Sequence, residues 1–84
     1  MSQILKIEMP EAAFAALRQD PEGFARELRL AAAVKWYELG MVSQSRAAEI
    51  SGLSREAFIQ ALARFQVTPF QVDEDQVQEK ATHA

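Results

Sequence analysis

The feature that most constrains this chain is a glycine between two helix-forming stretches, each of which begins with a serine that can cap a helix. Ser43 precedes the stretch QSRAAEIS, Gly52 follows it, and Ser54 precedes REAFIQALARF. Serine accepts hydrogen bonds from the first-turn N–H groups of a helix, and glycine adopts the left-handed conformation that commonly ends one. The pattern therefore predicts short helices over residues 44–51 and 55–65, joined by a tight turn.

The residues that would pack these two helices together are small or apolar. Ala48 lies four residues before the glycine, and Phe58, Leu62 and Phe65 recur at the spacing of one helix face. This arrangement predicts a helix-turn-helix, which places its second helix in the major groove of DNA. An ordinary helical hairpin has the same features, so a structural or protein-binding role is also compatible with the spacing.

If the second helix reads DNA, its outward side chains and the N-terminus of the first helix form the contact surface. Arg55 suits guanine and Gln60 suits adenine, because each side chain can make paired hydrogen bonds to that base. Ile59 suits a thymine methyl group or, equally, a core or dimer contact. Backbone N–H groups and an arginine of the first helix suit phosphate. The predicted DNA-binding residues are Ser43, Gln44, Arg46, Ser54, Arg55, Ile59, Gln60 and Arg64.

The remaining sequence predicts a mainly α fold with little strand. Residues 3–9, QILKIEM, alternate in polarity and predict a short strand, which must pair with a later strand or with a second copy of the chain. Proline and helix-forming residues then predict helices over residues 10–18 and 21–39. Residues 66–68 are compatible with a very short second strand.

The net charge of −3 is concentrated in the C-terminal part of the chain. Residues 69–84 contain four acidic residues and one lysine, whereas residues 1–68 contain eight charged residues of each sign. We therefore expect a helix-turn-helix-like domain over residues 1–68 and an acidic C-terminal tail over residues 69–84. Residues 43–68 hold three arginines and two glutamates, a net charge of +1. Because phosphate neutralisation supplies most nonspecific affinity for DNA, one copy would bind weakly and a two-fold dimer would double the contacts.

The second half of the long helix also favours a dimer. Residues 30–39, LAAAVKWYEL, are apolar on almost all sides and include Trp36 and Tyr37, which we expect in the core or a dimer contact. A helix of this kind is surrounded by protein, and a chain of 84 residues provides little protein to surround it. The sequence therefore predicts a homodimer formed through the N-terminal strand and the helix over residues 24–39.

The composition argues against several classes of function. The chain has no cysteine and only one histidine, His83, so a thiolate metal site is absent and any histidine-based catalytic group would have to use that residue. We therefore expect no enzyme activity, metal, cofactor or small-molecule substrate. The longest strictly apolar run has five residues, residues 30–34, far below the roughly 20 that cross a bilayer. No secretory signal is visible, and a cytoplasmic protein without membrane contact is expected.

Two stretches, RELRLAAAVKWYELG and SRAAEISGLSREAF, carry a family resemblance. In this order and spacing they resemble uncharacterised protein family 0175, and the resemblance extends over about residues 4–79. It implies a helix-turn-helix-like antitoxin that neutralises a toxin, often one with a PIN-type ribonuclease fold, and that can repress its own operon. It implies no catalytic residues.

The resemblance also points to a partner-binding segment after the second helix. An acidic and partly apolar segment would suit the basic groove of such a nuclease. The residues in this segment are Phe70, Val72, Asp73, Glu74, Asp75 and Val77. The alternative function is a protein-interaction adaptor that uses the helical hairpin and the acidic tail without binding DNA.

Overall fold

The computed structural model describes residues 2–69, and within this range the chain forms four helices. They are α1 (Glu11–Leu17), α2 (Pro21–Glu38), α3 (Gln44–Ser51) and α4 (Arg55–Arg64). The predicted mainly α class is confirmed, and each helix begins and ends within one residue of its expected bounds.

Polar side chains cap three of these helices at their N-termini. Asp20 caps α2, with Pro21 in the first helical position, and Ser43 and Ser54 cap α3 and α4. Each side-chain oxygen accepts a hydrogen bond of 2.8–3.1 Å from a backbone N–H in the first turn. The N–H groups that donate belong to Gly23, Arg46 and Ala57. The caps predicted at Ser43 and Ser54 are therefore present, and the three caps explain why these helices begin where they do.

Glycines in the left-handed conformation end α2 and α3. Gly40 and Gly52 both have φ of 77°, a value that side chains disfavour. The amide that follows each glycine donates back to a carbonyl in the last turn, at 2.8 and 3.0 Å. These bonds satisfy carbonyl groups that the helix itself leaves unpaired, so the chain can turn sharply after each helix.

The core lies where α2, α3 and α4 meet. Tyr37 of α2 and Phe58 and Leu62 of α4 are completely buried, and the rings of Tyr37 and Phe58 meet edge to face with centroids 5.7 Å apart. Small residues of α3 allow this close approach, as the sequence predicted from Ala48. The buried cluster comprises Ala33, Val34, Tyr37, Ala47, Ala48, Phe58, Leu62 and Val67.

Helix α1 packs at the edge of this core. Phe14 of α1 lies against Phe24, near the start of α2, with ring centroids 4.8 Å apart. None of the α1 residues is fully buried. Helix α1 therefore contacts α2 through this aromatic pair and lies outside the central cluster.

The strand predicted for residues 3–9 does not form within a single copy of the chain. Residues 2–10 have neither helix nor strand, and the side chains of Ile4, Leu5 and Ile7 are 89%, 80% and 54% exposed. The reason is the lack of a pairing strand, because the described residues contain no strand at all. Only the second of the two expected pairings, with another copy, stays open.

Residues 66–68 do not form the second short strand either. Gln66 has φ of 59°, which is a left-handed conformation and not an extended one. The chain turns there, and Val67 enters the core beside Leu62, whose carbonyl accepts a hydrogen bond from the Val67 N–H at 3.1 Å. Burial of Val67 is thus achieved by a turn after α4.

The two faces of the C-terminal half of α2 differ in their surroundings. Tyr37 is in the core, whereas its neighbour Trp36 is 40% exposed and Leu39 and Met41 beyond the helix are 59% and 65% exposed. Lys35 and Glu38 are exposed to solvent and form an ion pair at 3.2 Å.

Within residues 2–69, no helix combines the length and apolarity needed to cross a bilayer.

Candidate nucleic-acid interface

The N-termini of α3 and α4 lie side by side. Gln44 is the first residue of α3 and Arg55 is the first residue of α4. The Nε of Arg55 donates to Oε1 of Gln44 at 2.8 Å, so this hydrogen bond joins the two helix starts directly. Because N–H groups at a helix N-terminus carry partial positive charge, each of the two N-termini favours an anion. We call the surface formed by the first turns of α3 and α4, residues 43–46 and 54–57, the N-terminal face.

The side chains of this face include two arginines and one acidic residue, Glu56, a net charge of +1. Arg55 is exposed, although its Nε is held by Gln44. Arg46 is also exposed, and its Nη1 forms an ion pair with Glu49, whose side chain is 67% exposed. A pair this open to water is weak, so Arg46 can exchange Glu49 for a phosphate at small cost.

Ser43 and Ser54 belong to the N-terminal face through their capping role. Their hydroxyl oxygens accept from Arg46 N–H and Ala57 N–H at 3.0 and 3.1 Å. These bonds hold the first turns in shape, so the contribution of the two serines to an anion site is to orient the backbone N–H groups.

Gln44 has a different environment from the one expected of a DNA contact. Its side chain is buried, at 4% exposure, and both of its polar atoms are already bonded within the protein. The sequence pattern could not show this, because the partners of Gln44 belong to two other helices. Only the backbone N–H of Gln44 lies at the helix terminus, so its side chain acts inside the protein.

The outer surface of α4 carries the next predicted contacts. Gln60 is exposed, as direct contact with a base requires, whereas Ile59 is half-buried. Glu56 is exposed in the first turn of α4, where the helix dipole favours an acidic side chain. The structure therefore leaves Gln60 available on α4 and draws Ile59 partly toward the protein.

Arg64 lies at the opposite end of α4 from Arg55. Nine residues separate them, which is about 13 Å along a helix. The Nη2 of Arg64 is 2.7 Å from Oε2 of Glu27 in α2, and its guanidinium lies 5.0 Å from the ring centroid of Phe65. Arg64 thus ties the C-terminus of α4 to α2, and the structure does not bring it together with the N-terminal face.

Sequence reasoning did not identify Arg29 of α2. Its Nε donates to the Ile50 carbonyl at 2.8 Å, which satisfies one of the last carbonyl groups of α3. The same guanidinium lies beside Gly52, so Arg29 supports the turn that sets α3 against α4. No local sequence signal identifies this role, because the two bonded residues are 21 positions apart.

The described part of the chain offers no group of three or more histidine, cysteine or acidic side chains that could hold a metal ion. The predicted partner-binding residues lie outside the described residues, 2–69. These are Phe70, Val72, Asp73, Glu74, Asp75 and Val77.

Comparison with known proteins identifies related sequences. The model of an uncharacterised protein family, UPF0175, matches residues 1–84. A protein of Aeropyrum pernix, described as a UPF0175 protein, is 35% identical over 78 residues, which cover 93% of this chain and 82% of the relative. No solved structure gives a significant match.

Proposed function

The chain belongs to uncharacterised protein family UPF0175, and from this premise we propose that it is a small antitoxin-like regulator that binds DNA and neutralises a toxin. The observation that carries the DNA-binding part is the N-terminal face. Two helix starts joined by the bond between Gln44 and Arg55 carry backbone N–H groups and two arginines against one acidic residue, Glu56. No catalytic step is assigned to the protein.

In the proposed complex, α4 enters the major groove with its N-terminus toward the bases. Arg55 is held through Nε, and the Nη groups of its planar guanidinium suit the paired acceptors of guanine. The N-terminus of α3, with Arg46, suits the adjacent phosphates because anions bind well at helix N-termini. Gln60, on the exposed surface of α4, suits adenine.

The charge balance makes dimerisation part of this proposal. Residues 43–68 have a net charge of only +1, so one copy neutralises few phosphates. Apolar side chains that a second copy can cover are present on the N-terminal segment and on α2, where Ile4, Ile7 and Trp36 are 89%, 54% and 40% exposed. We propose that two copies pair through these surfaces and present two N-terminal faces to successive major grooves.

The toxin-binding part of the proposal rests on the family resemblance and on the charge distribution. Residues 69–84 have a net charge of −3, while residues 1–68 are neutral. A nuclease that binds RNA needs a basic groove, and an acidic segment with apolar anchors complements such a groove. We assign this contact to the segment that contains Asp73, Glu74 and Asp75.

DNA binding is tested with a duplex containing the DNA upstream of the protein's own gene. Affinity is measured at two or more salt concentrations for the wild type and for Arg55→Ala, Arg46→Ala and Arg18→Asn. Arg18 ends α1 and is not one of the residues of the N-terminal face, and asparagine tolerates its left-handed conformation (φ 55°). Arg18→Asn is therefore the matched control for loss of one positive charge.

Each arginine variant has its own expected result. Arg55→Ala should weaken binding about tenfold and reduce base selectivity, as loss of one paired base contact does. Arg46→Ala should weaken binding to all sequences alike, because it loses a phosphate contact. The slope of log affinity against log salt concentration should fall by about one. Arg18→Asn should bind as the wild type does. Absence of a salt-dependent complex, or equal losses in Arg55→Ala and Arg18→Asn, would show that the N-terminal face does not read DNA.

Toxin binding needs a separate experiment. The products of neighbouring genes are tested for complex formation with the wild type and with a variant carrying Asp73→Asn, Glu74→Gln and Asp75→Asn. The variant keeps the length of the chain and removes three negative charges, so we expect weaker binding of a toxin, most clearly at low salt. Unchanged binding would refute the assignment of this segment.

A second candidate function is a protein-interaction adaptor, and the exposed apolar residues favour it. Ile4, Leu5 and Met41 are 89%, 80% and 65% exposed, and exposed apolar side chains of this kind would gain from being covered by a protein partner. If the protein is an adaptor, a partner will bind with an affinity that Arg55→Ala leaves unchanged and Trp36→Ala reduces. For the antitoxin-like regulator, Arg55→Ala should weaken binding to DNA directly, whereas Trp36→Ala should weaken it only as far as it weakens dimerisation.

A further inference from the structure

A chain of hydrogen bonds runs from the backbone at Pro69 to the first residue of α4. The Tyr37 hydroxyl donates to the Pro69 carbonyl at 2.6 Å and accepts from Nε2 of Gln44 at 3.0 Å. Gln44 then accepts from Nε of Arg55 through Oε1, at 2.8 Å. Four residues that are distant in sequence are therefore linked through three consecutive bonds.

Donor and acceptor chemistry fixes the direction of this chain. The Arg55 Nε can only donate, so the Gln44 atom facing it must be the carbonyl oxygen Oε1. The Gln44 atom facing Tyr37 is then the amide nitrogen, which donates to the hydroxyl oxygen. The hydroxyl hydrogen is left for the Pro69 carbonyl. Reversing the Gln44 amide would leave the Arg55 Nε without its acceptor, and the hydroxyl would then donate to Gln44 in place of Pro69.

The two central residues of this series of hydrogen bonds, Tyr37 and Gln44, are buried and tightly packed. Tyr37 is completely buried and Gln44 is 4% exposed, so neither can replace a lost partner with bulk water at no cost. The Tyr37 ring is also fixed by its edge-to-face contact with Phe58. Buried polar groups in such a network hold one another in a single arrangement.

We propose that Tyr37 and Gln44 are positioning residues that tie the orientation of the Arg55 guanidinium to the position of the backbone at Pro69. Loss of the Tyr37 hydroxyl loosens the Gln44 amide and, through it, Arg55. Displacement of the Pro69 carbonyl has the same effect from the other end. The link itself does not depend on DNA; only its consequence for recognition rests on the proposed function.

This consequence is that a partner bound to the chain beyond Pro69 alters DNA binding through Arg55. Such coupling needs two arrangements of one element and a ligand that prefers one of them. The structure has the Tyr37 hydroxyl bonded to Pro69, and we take the unbonded state as the second arrangement. A toxin that pulls Pro69 away from Tyr37 would therefore release Arg55 from its fixed orientation.

The link is tested by NMR on the full-length chain, without DNA or any partner. The variants are Tyr37→Phe, which keeps the ring, and Gln44→Met, which keeps the side-chain length. Gln60→Met, the same substitution at an exposed glutamine of α4, is the matched control. The readouts are the exchange rate of the Arg55 Nε–H with water and the ¹³C shift of the Pro69 carbonyl. The Nε–H signals of Arg46 and Arg64, which do not take part in this bonded chain, are internal references.

Tyr37→Phe and Gln44→Met should both change the Arg55 Nε–H exchange rate and the Pro69 carbonyl shift, the two ends of the hydrogen-bond series. Gln44→Met should speed exchange of the Arg55 Nε–H about fivefold, the population change that one net hydrogen bond produces. Tyr37→Phe should speed it by about twofold or more, although it removes no atom that touches Arg55. Gln44→Met should also shift the Pro69 carbonyl signal, and Gln60→Met should change neither readout.

Unchanged Arg55 exchange in Tyr37→Phe would overturn the proposal, as would an equal change in Gln60→Met or in the Arg46 reference signal. Upstream DNA provides the second arm. We expect Tyr37→Phe as a single substitution to weaken DNA binding about two- to fivefold. In a protein that already carries Arg55→Ala, it should have no further effect on DNA binding. If no form of the protein binds DNA, the proposed function fails, while the NMR result alone decides the link.

Discussion

Replacing Gly52 with alanine should destabilise the protein by about 1–2 kcal/mol, because the turn between α3 and α4 requires a left-handed residue. Gly52 has φ of 77°, and the amides around it complete the end of α3. A methyl group at this position would also lie 3.3 Å from the Nη atoms of Arg29, closer than most side-chain contacts.

The two costs are of different size. Arg29 is exposed and long, so its guanidinium can move a few tenths of an ångström at small cost, even though its Nε is bonded to the Ile50 carbonyl. The backbone cannot relax in the same way, because a change in φ would separate α3 from α4. We therefore expect backbone conformation to account for most of the loss and crowding against Arg29 for about 0.5 kcal/mol or less.

Urea denaturation followed by far-UV circular dichroism measures this loss. A cost of 1–2 kcal/mol should lower the midpoint by about 1 M, given the small denaturant dependence of a chain of this size. Gly52→Asn should cost less than half as much, since asparagine tolerates the left-handed region. Gly52→Ala is also measured in an Arg29→Ala background, where the crowding is absent. If the cost of Gly52→Ala disappears there, crowding and not backbone conformation explains it, and our reasoning is wrong.

Three further predictions concern the cap, the core and the dimer. Ser54→Ala should lower the free energy of unfolding by about 1 kcal/mol, because it removes the cap of α4. Ser45→Ala, at an exposed position inside α3, should be nearly neutral in the same urea assay. Equal effects of the two substitutions would contradict the capping role. Leu62→Ala should lower the free energy of unfolding by about 2–5 kcal/mol, because the Leu62 side chain is completely buried. Circular dichroism should then show much of the protein unfolded. A well-folded variant would show that the site collapses around the smaller residue. Ile7→Asp should weaken self-association about tenfold or more in analytical ultracentrifugation, since Ile7 is 54% exposed in one copy and would be covered in the dimer. A wild-type protein that sediments as a monomer at every concentration would refute the dimer.

The helices and their caps were predictable because their signals are local. Asp20, Ser43 and Ser54 each act on an amide only three residues away, and Gly52 acts on the helix that immediately precedes it. The buried stripe of α4 also follows directly from the helical repeat. All these features depend on neighbours along the chain, which a single sequence shows.

The features that the sequence did not predict depend on partners distant in sequence. Gln44 is predicted as a DNA contact because it begins the first helix, whose backbone N–H groups suit phosphate, and this pattern does not show that its side chain bonds residues 7 and 11 positions away on other helices. Arg29 bonds a carbonyl 21 residues away, and no periodic pattern reports such a contact. The strand predicted for residues 3–9 does not form within one copy for a related reason, since alternation shows that a segment can form a strand but not that another strand is present to pair with it.

The opposite surroundings of Trp36 and Tyr37 have a practical consequence for spectroscopy. The chain contains one tryptophan and one tyrosine, and they are adjacent in sequence. Tyr37 is completely buried and hydrogen-bonded in the core, whereas Trp36 is 40% exposed on the outer surface of α2. Trp36 emission can therefore report the covering of that surface by another molecule while the core stays intact, and tyrosine absorbance can report loss of the core itself. Folding and association thus have separate intrinsic optical probes in adjacent residues, and neither measurement needs an attached dye.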